Sequence, residues 1–356
     1  MEVRCRTTNA DVTKRTPRLA QLAAFCCLGW NLPALPGTPL EALMICGQGR
    51  SWRIPAPDVH PASAAVAPAL LSPSVSPRLD RTLAHVLPFH EIRVKMRKRF
   101  YIFIAIGAFL AYSGLIEPNW LEVRTYDLKI DGLPHNVTIV HVADIHTKQP
   151  GYREAKATAI INQIEPDYVF VTGDLLKSSS QIADGLDFMS GLQAKCGVYA
   201  VSGNADGKLV ASIDRGITPK AYANWRFLEN ESVDCGDFTL VGIDDPVTCR
   251  DDLAKAMVGV DLARPVIAIT HFHAKKLLAK LVEMHVALVL SGHTHGGQIG
   301  FGPLVNRIEY AHRSKFIAGL YKLDGTYLEV TRGVGTNIFP LRFLCRPEIV
   351  VFHLHG

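Results

Sequence analysis

The feature that most restricts this chain is a series of short, β-branched apolar runs at 137–142, 168–172, 198–201, 266–270 and 286–290. Runs this apolar fit strands covered on both faces. Helical stretches at 153–164, 182–193 and 275–282 separate several of them. Strand–helix alternation predicts an α/β domain with substantial parallel pairing. Three more runs, 238–243, 327–331 and 349–354, lack helical crossovers and read as antiparallel strands of a second sheet.

Polar residues gather where the runs stop. The first is followed by Asp144-Ile145-His146, the second by Gly173-Asp174 and the third by Ser202-Gly203-Asn204. His271 ends the fourth, and Gly292-His293-Thr294-His295 follows the fifth. Side chains alternate in extended chain, so Asp144 and His146 face the same way and can meet one ion. Glycine before Asp174, Asn204 and His293 permits sharp turns and close backbone approach. In open α/β sheets ligands bind outside the carboxyl ends of the strands, which is where these groups fall.

Each piece alone has an ordinary explanation. Asp-x-His is mostly surface or capping chemistry, Gly-Asp after a strand is commonly a turn, and a single histidine is more often core or surface. Five strand ends that each deliver a carboxylate, amide or imidazole are hard to obtain by accident. Asp144, His146, Asp174, Asn204, His271, His293 and His295 exceed the four ligands of a single zinc. They suit two ions sharing a bridging carboxylate. Mixed oxygen and nitrogen donors without thiolate favour Mn, Fe or Zn over Ca or Mg.

The ordered motifs DIH, GDLL, GN, TH and GHTHGGQ resemble the calcineurin-like metallophosphoesterase superfamily. Within it the chain resembles the membrane-associated YaeI/YkuE-type phosphodiesterase branch, near lipid A precursor UDP-diacylglucosamine hydrolases. IEPNWLEV, PLV, FIAGLY and TRGVGTNIFPLRFLCRPEI add to the likeness, which covers 117–355. The resemblance implies two packed mixed β-sheets flanked by helices, a four-layer metallophosphatase fold. It also implies that Asp144, His146, Asp174 and His295 bind one ion, and that Asp174 (bridging), Asn204, His271 and His293 bind the other. A metal-bridging hydroxide would then attack phosphorus, with Asn204 near the phosphate. The substrate class is a phosphodiester or pyrophosphate, on a small molecule or a lipid.

One departure stands out. The family pattern carries histidine after Gly-Asn, taken to protonate the leaving oxygen, whereas this chain has Ala205. Losing a general acid costs on the order of 10²–10⁴ in rate. Either the leaving group departs unaided, or His273 supplies the proton, or the chain is a metal- and phosphate-binding regulatory module with little turnover. For His273 the alternative is a solvated loop histidine. Arg332, at a strand end before a flexible loop, suits a phosphate, or else is a structural arginine. The 339–343 stretch, Phe-Pro-Leu-Arg-Phe, reads as lipid contact or as core packing.

Residues 1–94 hold 11 of the 21 prolines and show no sustained periodicity, so they are expected to be a disordered or non-native leader. Met96 opens MRKRF, which resembles a translation start; N-terminal sequencing of the native protein decides it. Segment 95–116 joins a basic cluster to an uncharged run from Phe100 to Ile116, at the lower limit for crossing a bilayer. It reads as an uncleaved anchor, a removable signal peptide or a buried core helix. Residues 117–356 form the expected metallophosphoesterase domain. Lys/Arg excess before the run predicts a bacterial cytoplasmic membrane anchor with the domain on the extracytoplasmic side.

Residues 1–99 carry 14 Lys/Arg against 6 Asp/Glu, whereas the remainder carries 24 against 27. The basic charge therefore belongs to the leader, which argues against nucleic acid as a partner. Membrane and a phosphorylated substrate are the expected partners, and no protein partner is predicted. The eight cysteines form no CxxC pair, so neither a zinc ribbon nor a disulfide framework is indicated.

Overall fold

The structure is a computed structural model that describes residues 89–147, 151–177, 182–219, 224–300, 314–337 and 339–356. Most of the expected leader, 1–88, lies outside them. Helix α1, Phe89–Ala111, begins inside the predicted leader and runs through the basic cluster into the apolar run. It continues through one π-turn (Tyr112–Ile116) and one 3₁₀ turn (Glu117–Asn119) into the first strand.

Two six-stranded sheets follow. The first contains β1 (Glu122–Lys129), β2 (Val137–Val142), β3 (Tyr168–Thr172), β4 (Gly197–Val201), β5 (Trp225–Phe227) and β12 (Glu348–His355), in the order β1-β12-β2-β3-β4-β5. The second contains β6 (Glu231–Asp234), β7 (Thr239–Ile243), β8 (Val266–Thr270), β9 (Leu288–Ser291), β10 (Gly319–Leu323) and β11 (Thr326–Val330), in the order β10-β11-β9-β8-β7-β6. Both sheets are mixed. The strands expected to be purely antiparallel each have one parallel neighbour: β7 with β8, β11 with β9, and β12 with β1. Nor do all three lie in a second sheet: β12 returns to the start of the fold and inserts in the first sheet between β1 and β2, pairing antiparallel with the latter.

Alternation along the strands sorts side chains into layers. Val140 and Val142 of β2 face an outer core shared with α2 (Tyr152–Ile164), α3 (Ile182–Gly191) and α4 (Gly207–Asp214). Ile139 faces the other way, into a core between the sheets with Phe170, Phe352, Ile267 and Leu290. A third core joins β7, β8, β9 and β11 to α5 (Leu253–Ala256) and α6 (Lys275–Glu283). The result is the four-layer helix–sheet–sheet–helix arrangement. Phe170 is completely buried at its centre; truncating such a ring to alanine costs about 3–5 kcal/mol.

Local signals set the helix ends that flank the site. The Glu154 carboxylate accepts from the Gly151 N–H (3.1 Å), satisfying an orphan donor at the start of α2. Glu165 ends that helix in a left-handed conformation (φ 51°), and Pro166 prevents continuation. Cys235, Cys249 and Cys345 are free thiols.

Candidate metal centre

The carboxyl ends of β2, β3 and β4 in one sheet meet those of β8 and β9 in the other. Their extensions bring Asp144, His146, Asp174, Asn204, His271, His293 and His295 together. Five of these have left-handed backbone: Asp144 (φ 52°), His146 (47°), Asp174 (53°), His293 (72°) and His295 (51°). Non-glycine residues visit this region rarely and at a cost, and surrounding bonds must hold them there. Here Asp144 N–H donates to Gly173 O (3.0 Å) and His146 N–H to Asp174 O (3.0 Å), stitching two strand ends together. The His293 N–H donates to Asp144 Oδ2 (2.9 Å), tying the second sheet to the first. A Cβ on Gly292 would come within 2.6 Å of Ala143 Cβ, so only glycine lets the two turns approach.

The side chains form two adjoining groups. In the first, His146 Nε2 faces His295 Nε2 at 3.1 Å with the rings stacked, and Asp144 Oδ1 lies 3.6 Å from His295 Nε2. In the second, His271 Nε2 lies 3.1 Å from His293 Nδ1 and 3.2 Å from Asn204 Oδ1. Asp174 Oδ2 stands between the groups, 3.6 Å from His146 Nε2 and 3.5 Å from His271 Nε2. Asp144, His146 and His295 would serve one cation, and Asp144, Asp174 and His271 also fit a single ion's reach.

The electrostatics favour cations. Burial pushes the Asp144 carboxyl up to about 7 and holds the His146 imidazole down to about 4. His295 is likewise held well below its ordinary value by burial, with the neighbouring His146 adding to the effect. Neutral imidazole is the ligand form, and His146 Nδ1–H donates to Leu176 O (3.3 Å), which turns Nε2 inward. Burial also disfavours a charged His271, yet the carboxylates of Asp174, Asp144 and Asp245 outweigh it and raise its pKa to about 9. Among the described residues, buried Asp144 Oδ1 and His295 Nδ1 find no hydrogen-bond partner. A cation beside Asp144 Oδ1 and the facing Nε2 atoms of His146 and His295 would satisfy that orphaned carboxylate oxygen.

The sequence gives no sign of the supports beneath. Asp206 is fully buried and accepts from Gly203 N (2.9 Å), Leu176 N (3.0 Å) and Leu175 N (3.3 Å), binding the Asp174 loop to the Asn204 loop. His141 and Glu329, on facing strands of the two sheets, pair at 2.6 Å in the sandwich interior. The other His141 nitrogen meets Thr172 Oγ1 (2.8 Å), and the Thr172 carbonyl accepts from His271 Nδ1 (2.8 Å). Arg342 is completely buried, and its guanidinium donates to the carbonyls of Arg332, Gly333, Gly335 and Cys345. It thereby fixes the loop whose Val334 and Gly335 N–H groups cap Ala143 O and Asp144 O.

The remaining candidates lie elsewhere. His273 is buried, with Nδ1 on Ser291 Oγ (2.8 Å) and Nε2 on Ser314 Oγ (2.7 Å) and Phe316 O (3.0 Å). It is therefore no solvated loop residue, and burial holds its pKa down to about 4. Arg332 bonds Glu348 (2.6 Å) and Glu122 (3.0 Å), so its charge is matched by carboxylates. Ala205 meets the centre through its backbone, its N–H donating to Asp174 Oδ1 (2.7 Å).

Comparison with known proteins agrees with this geometry. The calcineurin-like phosphoesterase superfamily domain matches residues 137–300, a span that contains all seven converging side chains. An uncharacterized metallophosphoesterase of Helicobacter pylori (strain J99) is 30% identical over 282 residues, covering 72% of each chain. The chain belongs to the calcineurin-like phosphoesterase superfamily. Another member, the uncharacterized metallophosphoesterase YkuE of Bacillus subtilis, is 27% identical over 266 residues, covering 70% of this chain and 91% of its own. A Danio rerio transmembrane protein with metallophosphoesterase domain is 28% identical, covering 69% of this chain and 60% of its own. Membership makes this chain a hydrolase whose fold implies divalent metal ions. Among the described residues one helix, Met96–Asn119, is long and apolar enough to cross a membrane. With the transmembrane relatives, it indicates membrane association.

Proposed function

We propose that this chain hydrolyses a phosphodiester or pyrophosphate bond with two divalent ions, Mn, Fe or Zn. Asp144, His146, Asp174 and His295 would hold one ion; Asp174, Asn204, His271 and His293 would hold the other. The position of Asp174 carries the reading, because its Oδ2 lies within 3.6 Å of an imidazole nitrogen from each group. When bound, the ions supply a nucleophile from water near neutral pH and positive charge against the phosphoryl oxygens. Asn204 is exposed at the mouth, where its amide can orient a phosphate. His141 and Thr172 keep the His271 ring aimed, and Asp206 keeps the Asp174 and Asn204 loops in register.

Ala205 leaves the Asn204 turn without a proton donor, and His273 is held neutral and fully bonded. The proposed substrate therefore has an acidic leaving group that departs unaided, as in a pyrophosphate or an activated diester. A lipid-linked or nucleotide-sugar–lipid substrate fits the membrane association, and we place the chain in the YaeI/YkuE-type branch. Residues 117–356 would be the catalytic domain, 95–116 its anchor in a bacterial cytoplasmic membrane and 1–94 a leader. The basic cluster before the apolar run supports an extracytoplasmic domain.

Ala205 also supports a second reading, a metal- and phosphate-binding module with little turnover. Manganese-dependent hydrolysis of bis-para-nitrophenyl phosphate separates the two. The natural chain should turn over, and Asp174→Ala should lose activity by on the order of 10³-fold together with bound manganese. Metal binding without turnover in the natural chain favours the binding module.

A further inference from the structure

The rim of the sandwich nearest α1 carries large apolar side chains that the fold does not cover. Leu115 is 72% exposed, Leu344 67%, Phe339 61%, Ile116 54% and Trp120 50%. They come from two distant parts of the chain, the exit of the apolar helix and the loop before β12. Arg346 joins them, its guanidinium 4.3 Å from the centroid of the Trp120 ring. Aromatic rings beside a cation are the composition of a membrane–water boundary, where the ring reaches the headgroup level and the charge meets phosphate.

The loop is fixed to the helix at a definite height. Phe343 packs edge-on against Phe109 (4.9 Å between ring centroids) and near Tyr112 (6.2 Å). The Arg342 N–H donates to Ser113 O (2.8 Å), and the Cys345 N–H to the Glu117 carboxylate (2.6 Å). Phe109 lies within the apolar segment Met96–Asn119 and not beyond its end. The uncharged run from Phe100 to Ile116 is about 25 Å long at roughly 1.5 Å per residue, short of the ~30 Å hydrocarbon layer. A loop packed alongside the last turns of this segment is held at the level of the bilayer surface.

The same loop abuts the metal centre. Cys345 Sγ–H donates to His295 O (3.2 Å), and the Gln298 amide donates to Phe339 O (2.8 Å) while accepting from Asn337 N–H (2.8 Å). We propose that the 339–346 rim, with Trp120, is a second membrane-contacting element that inserts into the lipid boundary and seats the metal centre on the bilayer surface. This inference rests on membrane association of the helix, not on the hydrolytic reading.

The test uses the full chain reconstituted in phosphatidylcholine–phosphatidylglycerol vesicles whose acyl chains are brominated at shallow positions. Phe339→Trp and Val258→Trp each add one tryptophan, read as the difference from the parent. Val258 is 74% exposed and follows α5, which packs on β6 and β7 at one edge of the second sheet. The added signal of Phe339→Trp should suffer a several-fold larger fractional loss than that of Val258→Trp. Adding Leu344→Asp should remove the excess, with turnover of a soluble nitrophenyl diester unchanged. Equal loss at both positions, while Trp120 (parent minus Trp120→Phe) is quenched, overturns the proposal and leaves the anchor intact. No quenching at either position or at Trp120 overturns it together with the membrane reading of the helix. Turnover of the soluble diester by the parent reports on the hydrolytic reading separately.

Discussion

The two groups of side chains at the metal centre live in different surroundings. Asp144, His146 and His295 are all buried, with His146 and His295 stacked against each other and the Arg342-braced loop behind Asp144. Asn204 is exposed and His293 only half-buried, and the His271–His293 rings meet nearly at right angles. Donors sealed from solvent cannot touch a substrate, whereas Asn204 and His293 are open to it. The outer group is where a phosphate can arrive. Two carboxylates link the groups: Asp174 Oδ2 lies within 3.6 Å of an imidazole nitrogen in each, and Asp144 fits a single ion's reach either with His146 and His295 or with Asp174 and His271.

This division has consequences that can break it. Asn204→Ala removes an outer donor and should lower diester turnover by on the order of 10²–10³-fold with the inner ion retained. Metal analysis of the purified variant checks the second half; loss of both ions would erase the distinction between the groups.

The support beneath the outer group should show in acid. His141 is held neutral by burial, with its pKa down to about 3, whereas an unfolded histidine titrates near 6.5. Between those values the unfolded chain binds the extra proton, so this residue's contribution to stability falls as pH drops through about 6.5 and is gone near 3. Asp144 and Asp206, raised to about 7 by burial, act in the opposite sense. Glu329, the buried partner of His141, is raised well above its ordinary value by burial and also opposes it, so a comparison of variants at 141 reads the pair. In metal-free melts, His141→Gln should gain on the natural chain by a few kcal/mol, a factor of about 10² in the folding equilibrium, between pH 7 and 4.

Ala205→His restores a proton donor at the outer mouth. It should raise turnover of alkyl diesters by about 10²-fold and of aryl diesters far less. An equal gain on both would contradict the leaving-group explanation. His273→Ala should change the rate on either substrate by less than about tenfold, because its ring is occupied by Ser291, Ser314 and Phe316.

Much of this was legible in the residues. Strands β2, β3 and β8 begin and end with the apolar runs, because strands buried on both faces must be apolar throughout. The ligand-type side chains were visible because chemistry-bearing groups sat at those run ends. Strand order was not legible, since pairing of β12 with β1 and β2 leaves no local trace. Buried polar groups were equally hidden. His141 meets a carboxylate 188 residues away, and nothing near it announces that partner. Arg342 sits in a stretch that suits lipid contact or core packing, and only its ring of backbone carbonyls shows which residue of that stretch turns inward. Left-handed backbone at five of the candidate ligand positions also lay beyond the sequence, because it is imposed by bonds between strand ends.

The placement of β12 sets the order of events during synthesis. The sheet bearing Asp144, Asp174 and Asn204 has a gap between β1 and β2 until residues 348–355 have left the ribosome. By then the apolar helix has long been made, so membrane association can precede closure of the domain. A nascent chain stalled before Glu348 would expose the edges of β1 and β2 to neighbouring chains.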